Sequence, residues 1–161
     1  MGDGPTDAKI ILLGEGPGFN EDLQGKPFVG AAGKTLNELL QLAGLKREEV
    51  YITNAVRCRP PENRDPADDE IETCSIYLQQ QVGLMKPKLV VALGRIAARA
   101  LLGRHVSVGR EHGSIIECTY AGVGFKLFLT YHPAAAIYSG RTKQELQADF
   151  LKLKQILKTI T

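Results

Sequence analysis

Four short apolar runs limit the possible folds of this chain more than any other feature of its sequence. They occupy residues 9–13, 50–53, 89–93 and 126–130. Little polar–apolar alternation occurs within them, which indicates strands buried on both faces, as parallel strands covered by helices are. Helical patterns occupy residues 31–43, 66–85, 95–102 and 143–158. This β-α-β order predicts an α/β protein, a three-layer α/β/α sandwich with a central, mainly parallel four-stranded sheet.

A β-hairpin is predicted in the second half of the chain. Its arms are residues 114–118 and 126–130, and its connection runs through Gly122 and Gly124. Glycine favours such a connection because it accepts positive φ angles at no steric cost.

The bulk properties of the chain bound its class. Its 161 residues suit one domain, residues 1–161, with a sizeable core. A net charge of +2 is too small to indicate nucleic-acid binding by itself. No stretch approaches the ~18 apolar residues of a membrane span, and the N-terminus lacks a secretory signal. We therefore expect a soluble, cytoplasmic protein that is a monomer.

Three of the four apolar runs lead directly into a polar or glycine-rich signal. The first run is followed by residues 14–30, which begin Gly14-Glu15-Gly16-Pro17-Gly18, the second by Asn54 and the fourth by His132. One such residue commonly satisfies only nearby backbone groups, whereas the carboxyl ends of parallel strands meet at one sheet edge, where α/β proteins bind ligands. The functional loops are therefore expected at this edge, in residues 14–30, 54–66 and 131–141.

Four motifs of this chain resemble those of the family 4 uracil-DNA glycosylases, the iron–sulfur branch of the uracil-DNA glycosylase superfamily. They are Gly14-Glu15-Gly16-Pro17-Gly18, Gly25-Lys26-Pro27-Phe28-Val29-Gly30, the segment YITNAVRCRPP at residues 51–61, and His132-Pro133. The motifs occur in order, and the likeness runs from about residue 2 to residue 157. The resemblance implies a base-excision-repair enzyme that flips uracil out of DNA and hydrolyses its N-glycosidic bond, leaving an abasic site.

The resemblance also implies which residues bind the base. Gly16, Pro17 and Gly18 would form part of the substrate-binding loop, with the backbone N–H groups of the two glycines available to phosphate. Phe28 would stack on the flipped ring, although it could instead anchor its loop on the first helix. Asn54 would read uracil, because its amide donor and acceptor match O4 and N3–H, whereas cytosine presents the reverse pattern. Without the family, Asn54 could equally be a turn former.

Three residues are expected to carry the catalysis, and the resemblance implies the role of the histidine. His132 would direct a donor at uracil O2, where negative charge grows as the glycosidic bond breaks. Glu15 would lie near the attacked carbon and orient the water, with Glu21 in support. Either carboxylate could orient the water or offset the positive charge on the sugar. Glu21 could also pair with His132 or be a solvated loop residue.

Contacts with the DNA backbone are expected from Ser139, Arg141 and Lys143, with Arg57 and Arg59 nearby. Such side chains are usually solvated surface, and a phosphate contact would appear as salt-dependent affinity. The segment after His132-Pro133 departs from the family pattern, which leaves its insertion into the duplex open.

Cys58 and Cys74 stand where the family places two ligands of a [4Fe–4S] cluster, which normally takes four thiolates. The other two usually form a Cys-x-x-Cys pair upstream of the segment that matches residues 2–4. Either an N-terminal cluster-binding segment is missing from this sequence or the cluster has been lost, and occupancy is in doubt. Cys118 is a poor substitute because it falls in the predicted hairpin.

Two other functions fit the same motifs. The chain could be a non-catalytic module that binds uracil-DNA or a nucleotide, or a glycosylase with broadened base choice that includes hypoxanthine or xanthine. A phosphate-binding loop at residues 14–18 is disfavoured, because the run lacks the Lys-Ser/Thr of a P-loop and the spacing of a dinucleotide fingerprint.

Overall fold

The structure is a computed structural model that describes residues 2–16, 30–56 and 68–160. Its strands are β1 (Gly2–Asp3), β2 (Ile10–Gly14), β3 (Tyr51–Asn54), β4 (Leu89–Leu93), β5 (Ile115–Tyr120) and β6 (Val123–Thr130). Its helices are α1 (Ala31–Leu42), α2 (Asp68–Met85), α3 (Arg95–Leu102), α4 (Val108–Glu111), α5 (Ala135–Tyr138) and α6 (Gly140–Ile160), and a short 3-10 turn spans Arg47–Glu49. Each of the four apolar runs forms a strand, and each of the four helical patterns forms a helix.

The described strands form one six-stranded sheet in the order β1-β3-β2-β4-β6-β5. The four predicted strands are its parallel centre, whereas β1 and β5 pair antiparallel at the two edges. The prediction of a four-stranded sheet is therefore wrong in strand number. With only two residues, β1 is too short to leave a hydrophobic pattern. The outer strand β5 alternates exposed and buried positions, as an edge strand with one solvated face does.

Both faces of the sheet are covered by helices. The β2 side chains Ile11 and Leu13 face a core that includes residues of α2 and α3, whereas Leu12 faces the residues of α1 and α6 on the opposite side. All three side chains are fully buried. Burying one such side chain stabilises the fold by about 1.5–3 kcal/mol. This arrangement confirms the three-layer α/β/α architecture and explains why the central strands are apolar throughout.

Two boundaries in the second half of the chain differ from the predictions. The hairpin turns at Ala121 and Gly122, whose φ angles of 51° and 77° are both positive, as a type I′ turn requires. Gly124 lies inside β6, opposite Thr119, and not in the turn. The predicted loop at residues 131–141 contains α5, and α6 begins at Gly140, before the predicted start at residue 143.

Ser139 explains the early start of α6. Its Oγ accepts a hydrogen bond from the Thr142 backbone N–H at 3.2 Å, and its carbonyl accepts one from the Lys143 N–H at 3.0 Å. A serine in this position caps the otherwise unpaired amides at the beginning of a helix. The cap therefore fixes how the chain passes from α5 into α6.

The register of the sheet brings the carboxyl ends of the central strands to one edge. Gly14 of β2 pairs with Asn54 of β3, and Leu93 of β4 pairs with Thr130 of β6. The parallel hydrogen bonding continues past the strands, since the Val56 N–H donates to the Glu15 carbonyl at 2.9 Å.

In the described part of the chain, no helix combines the length and apolar character needed to cross a bilayer.

Candidate active site

Asn54 brings an unsatisfied acceptor to the carboxyl edge of the sheet. Its Oδ1 is buried, and no donor among the described residues reaches it. Leaving a buried acceptor unpaired costs about 1–3 kcal/mol, so native proteins rarely do so without a reason. The end of β3 is itself held firmly, because the buried Thr53 donates to Gln81 Oε1 at 3.3 Å and Gln81 Nε2 donates to the Tyr51 hydroxyl at 3.1 Å. The Asn54 amide thus stands on a rigid support, with its buried Oδ1 lacking a donor among the described residues.

His132 has a defined tautomer in the turn that follows β6. The Ala134 backbone N–H donates a hydrogen bond to His132 Nδ1 at 3.1 Å, so Nδ1 is the acceptor nitrogen of a neutral ring. The proton of that ring is therefore on Nε2. The turn is fixed by a second bond, from the Ala135 N–H to the His132 carbonyl at 2.9 Å. His132 can thus act as a neutral donor through Nε2.

Gly94 is the point at which Glu15 and His132 meet, and the sequence predictions missed it. A Cβ atom added to Gly94 would lie 2.7 Å from Glu15 Oε1 and 3.3 Å from His132 Cβ. The two side chains are therefore neighbours across this glycine. Gly94 adopts φ 101° and ψ 169°, a region that is essentially restricted to glycine. It follows β4 and precedes α3, so its signal in the sequence was a glycine directly after an apolar strand.

The glycine-rich loop is only partly described. Glu15 and Gly16 are half-buried and continue directly from β2. The expected roles of Pro17, Gly18, Glu21 and Phe28 fall outside the described residues and stay predictions. Of the predicted catalytic and base-binding residues, the structure brings Glu15, Gly16, Asn54 and His132 to the same edge of the sheet.

The passage from α5 into α6, which begins a few residues after His132, presents an aromatic ring and cations. Tyr138 is 88% exposed, and the side chain of Arg141 is 90% exposed. Arg141 Nε contacts Glu145 Oε1 at 3.1 Å, and Lys143 is exposed one turn into α6. The Ser139 Oγ accepts a hydrogen bond from the Thr142 N–H of α6, and its own hydroxyl proton remains available for donation. Arg57 and Arg59 lie outside the described residues.

The described residues do not complete a metal site. Cys74 is half-buried on α2, and Cys58 lies outside the described ranges. Cys118 is buried in the core, where burial raises its thiol pKa and its Sγ donates to the Leu101 carbonyl at 3.9 Å. No group of three or more His, Cys, Asp or Glu residues in the described part of the chain could hold a metal ion. The three cysteines of the sequence therefore do not by themselves fit a cluster of four thiolates.

Comparison with known proteins gives a consistent family. The family model of the Uracil DNA glycosylase superfamily matches residues 1–157. A type-4 uracil-DNA glycosylase of Archaeoglobus fulgidus is 43% identical over 159 residues, which cover 96% of this chain and 80% of the relative. The type-4 enzyme of Saccharolobus solfataricus is 44% identical, with 97% and 74% coverage, and that of Thermotoga maritima is 39% identical, with 98% and 82% coverage. The chain belongs to the uracil-DNA glycosylase superfamily and, as its motifs predicted, to the type-4 branch.

Proposed function

We propose that this protein is a monofunctional uracil-DNA glycosylase, which hydrolyses the N-glycosidic bond of uracil in DNA and leaves an abasic site. The observation that carries the proposal is the buried Asn54 Oδ1, which has no donor among the described residues. It stands at the same sheet edge as the His132 ring and the Glu15 carboxylate, in a chain that belongs to the superfamily. An acceptor held in this way is suited to a base that donates from its N3–H.

Asn54 supports the choice of uracil over cytosine. Its Oδ1 would accept from uracil N3–H while its Nδ2 donates to O4. Cytosine has an acceptor at N3 and a donor at N4, so both contacts would be mismatched. Because an unpaired buried group costs about 1–3 kcal/mol, each mismatch would reduce binding roughly five- to 150-fold. Phe28 would add sequence-tolerant stacking on the flipped ring.

His132 and Glu15 would divide the charge that develops during hydrolysis. As the C1′–N1 bond breaks, its electron pair stays with uracil, and negative charge collects on O2 near the His132 Nε2–H. The Glu15 carboxylate would face the cationic sugar, orient a water toward C1′ and accept the proton that the water loses as the new C–O bond forms. Glu21 would support Glu15. Gly94 keeps the space between the two residues open.

The α5–α6 connection would contact the DNA around the flipped nucleotide. Arg141 and Lys143 are exposed cations suited to phosphate, and the Ser139 hydroxyl retains a proton to donate. The exposed Tyr138 ring would pack against the bases beside the vacated position. These contacts are sequence-independent, as an enzyme that searches any DNA for uracil requires.

We further propose that Cys58 and Cys74 supply two of the four thiolates of a structural [4Fe–4S] cluster, a proposal supported by their positions in the family motif and one that requires two thiolates from outside this sequence. Iron and sulfide analysis of the purified protein, with Cys74→Ser as the comparison, tests this, and metal-free active protein would contradict it. We place the protein in the cytoplasm as a monomer, which cell fractionation and light scattering test. No catalytic step is assigned to the cluster.

The proposed activity is tested with single- and double-stranded oligonucleotides that carry one uracil. We expect release of free uracil and an alkali-labile site, with no strand cleavage before alkali and no reaction on a thymine-containing control. His132→Ala should lower the rate on the order of 10²–10³-fold, as loss of a donor to developing charge does. DNA binding without uracil release would favour the non-catalytic module, and oligonucleotides with hypoxanthine or xanthine test the broader base choice.

A further inference from the structure

A cluster of polar side chains holds the two residues that directly precede His132 in the chain. It consists of His112, Thr130, Tyr131, Glu145 and Asp149, which we call the His112 cluster. His112 follows α4, Thr130 and Tyr131 stand at the end of β6, and the two carboxylates lie one helical turn apart on α6. Tyr131 begins a predicted functional loop, but none of these residues was assigned a role from the sequence.

His112 is held at both ring nitrogens. Its Nδ1 lies 2.9 Å from Asp149 Oδ2, and its Nε2 lies 3.2 Å from Glu145 Oε2. The Nδ1 contact is a hydrogen bond, and the Nε2 contact is within ion-pair distance of the Glu145 carboxylate. The ring also packs on Tyr131, with centroids 4.9 Å apart. Arg141 also belongs to this group of charged side chains, because its Nε forms an ion pair with Glu145.

The same two carboxylates hold the two residues that precede His132. The buried Thr130 donates to Asp149 Oδ2 at 2.7 Å, and the Tyr131 hydroxyl donates to Glu145 Oε2 at 2.7 Å. The Glu145 hydrogen bond is the main cause that raises the pKa of Tyr131 to about 12, so this hydroxyl keeps its proton and remains a donor. Thr130 and Tyr131 therefore attach the end of β6 to the same two carboxylates of α6 that contact His112.

The turn that carries His112 fits closely against this arrangement. The Gly113 N–H donates to the Leu129 carbonyl at 2.6 Å, and Lys152 Nζ donates to the Gly113 carbonyl at 2.6 Å. Gly113 has φ 79°, and a Cβ there would lie 3.0 Å from Asp149 Oδ1. His112 thus has little freedom to leave the two carboxylates.

Charge explains why a residue of this type stands here. Glu145 and Asp149 are four residues apart on one helix, a spacing at which like charges repel and destabilise. The His112 ring contacts one carboxylate through each of its nitrogens, so it lies between them and holds them in the positions that Thr130 and Tyr131 need. An apolar residue at position 112 would leave the two carboxylates facing each other around a gap.

We propose that His112 is a positioning residue of the uracil-excision site, which bridges Glu145 and Asp149 and so fixes Thr130, Tyr131 and the direction of the His132 Nε2–H. The inference rests on the proposed function for its effect on catalysis, and on the geometry alone for its effect on His132. It assigns His112 no contact with the substrate.

The kinetic test compares His112→Ala, His112→Arg and the control His105→Ala, which removes an exposed histidine outside the cluster. Displacing a catalytic group by an ångström costs about 10²-fold in rate, so His112→Ala should lower the single-turnover rate at least about tenfold. Binding of DNA with a non-hydrolysable 2′-fluoro-deoxyuridine should change less than about twofold, because position 112 does not touch the DNA. His112→Arg should keep most of the rate, since its guanidinium can donate to both carboxylates.

A spectroscopic readout separates positioning from a general structural role. Heteronuclear NMR of the imidazole nitrogens should show His132 with a bare Nδ1 and a protonated Nε2 in the wild-type protein. In His112→Ala these His132 signals should shift or broaden, and in His105→Ala they should not. If His112→Ala does not fold, Tyr131→Phe removes a single bond of the same cluster and should move the same signals to a smaller extent.

Two results would overturn the inference. One is a folded His112→Ala protein with a wild-type rate, and the other is a reduced rate with His132 signals that do not move. Absence of uracil excision by the wild-type protein would instead refute the proposed function, and the NMR comparison would still decide whether His112 positions His132.

Discussion

Replacing Gly94 with alanine tests whether the approach of Glu15 to His132 matters. The new Cβ would lie 2.7 Å from Glu15 Oε1, whereas ordinary contact begins at 3.4 Å, so the carboxylate must withdraw by about 0.7 Å. A displacement of 1 Å costs about 10²-fold in rate, which predicts a loss of roughly ten- to 100-fold. The φ of 101° adds backbone strain of about 1–3 kcal/mol that lowers the free energy of unfolding.

The other end of α3 provides the matched control. Gly103 also has a positive φ, 71°, but a Cβ added there meets no atom within 4 Å. Gly103→Ala should therefore lose about 1–2 kcal/mol of stability through the left-handed backbone alone, with a wild-type rate. Urea unfolding gives the stability of both variants, and single-turnover uracil release at saturating enzyme gives the rates.

The two variants must differ in rate for this reasoning to hold. If Gly94→Ala loses stability as calculated and yet excises uracil at the wild-type rate, the placement of Glu15 beside His132 does not limit catalysis. If Gly103→Ala loses as much activity as Gly94→Ala, the effect belongs to stability and not to the site.

Three further variants test separate parts of the account. Asn54→Ala should lower the free energy of unfolding by less than about 1 kcal/mol, because it removes an acceptor that has no donor. Uracil excision should nevertheless fall on the order of tenfold or more. A large loss of stability would contradict a ligand-directed role for Asn54. Arg141→Ala should reduce the slope of log affinity against log salt by about 1, which Arg110→Ala on α4 should not do. The pKa of Glu145 is lowered chiefly by the Tyr131 hydroxyl, so its stabilising effect is complete above its ordinary value of 4.5 and is lost as the pH falls through its folded value. The difference in unfolding free energy between wild type and Glu145→Gln should therefore shrink as the pH falls below 4.5, and a constant difference would refute the pairing.

The central sheet could be predicted because burial on both faces leaves an unbroken apolar run. That pattern is present in each of the four parallel strands and fixes the α/β/α layers. The two edge strands lack this unbroken apolar pattern. In β5 only one face is covered, and β1 contributes two residues whose pairing depends on β3 and not on their own sequence. The early start of α6 depends on the Ser139 cap, a local contact that hydrophobic periodicity does not report.

Site residues could be predicted from the sequence only where a polar side chain lies at the end of a strand. Asn54 and His132 carry polar groups at strand ends, so their sequence positions alone suggested convergence. Gly94 matters because it has no side chain, and a search for donor and acceptor groups does not detect such a residue. His112 lies on a separate turn and reaches the end of β6 only through carboxylates of α6, a relation created by tertiary packing.

The central claim is that Asn54 and His132 at the carboxyl edge of the sheet select and release uracil. Mass-spectrometric detection of free base from paired uracil- and cytosine-containing oligonucleotides tests it most directly, with wild type, Asn54→Ala and His132→Ala compared at matched folding. We expect the wild type to release uracil but not cytosine, and both variants to release uracil on the order of tenfold or more slowly. Equal release by wild type and both variants, or no uracil release by folded wild-type protein, would contradict it.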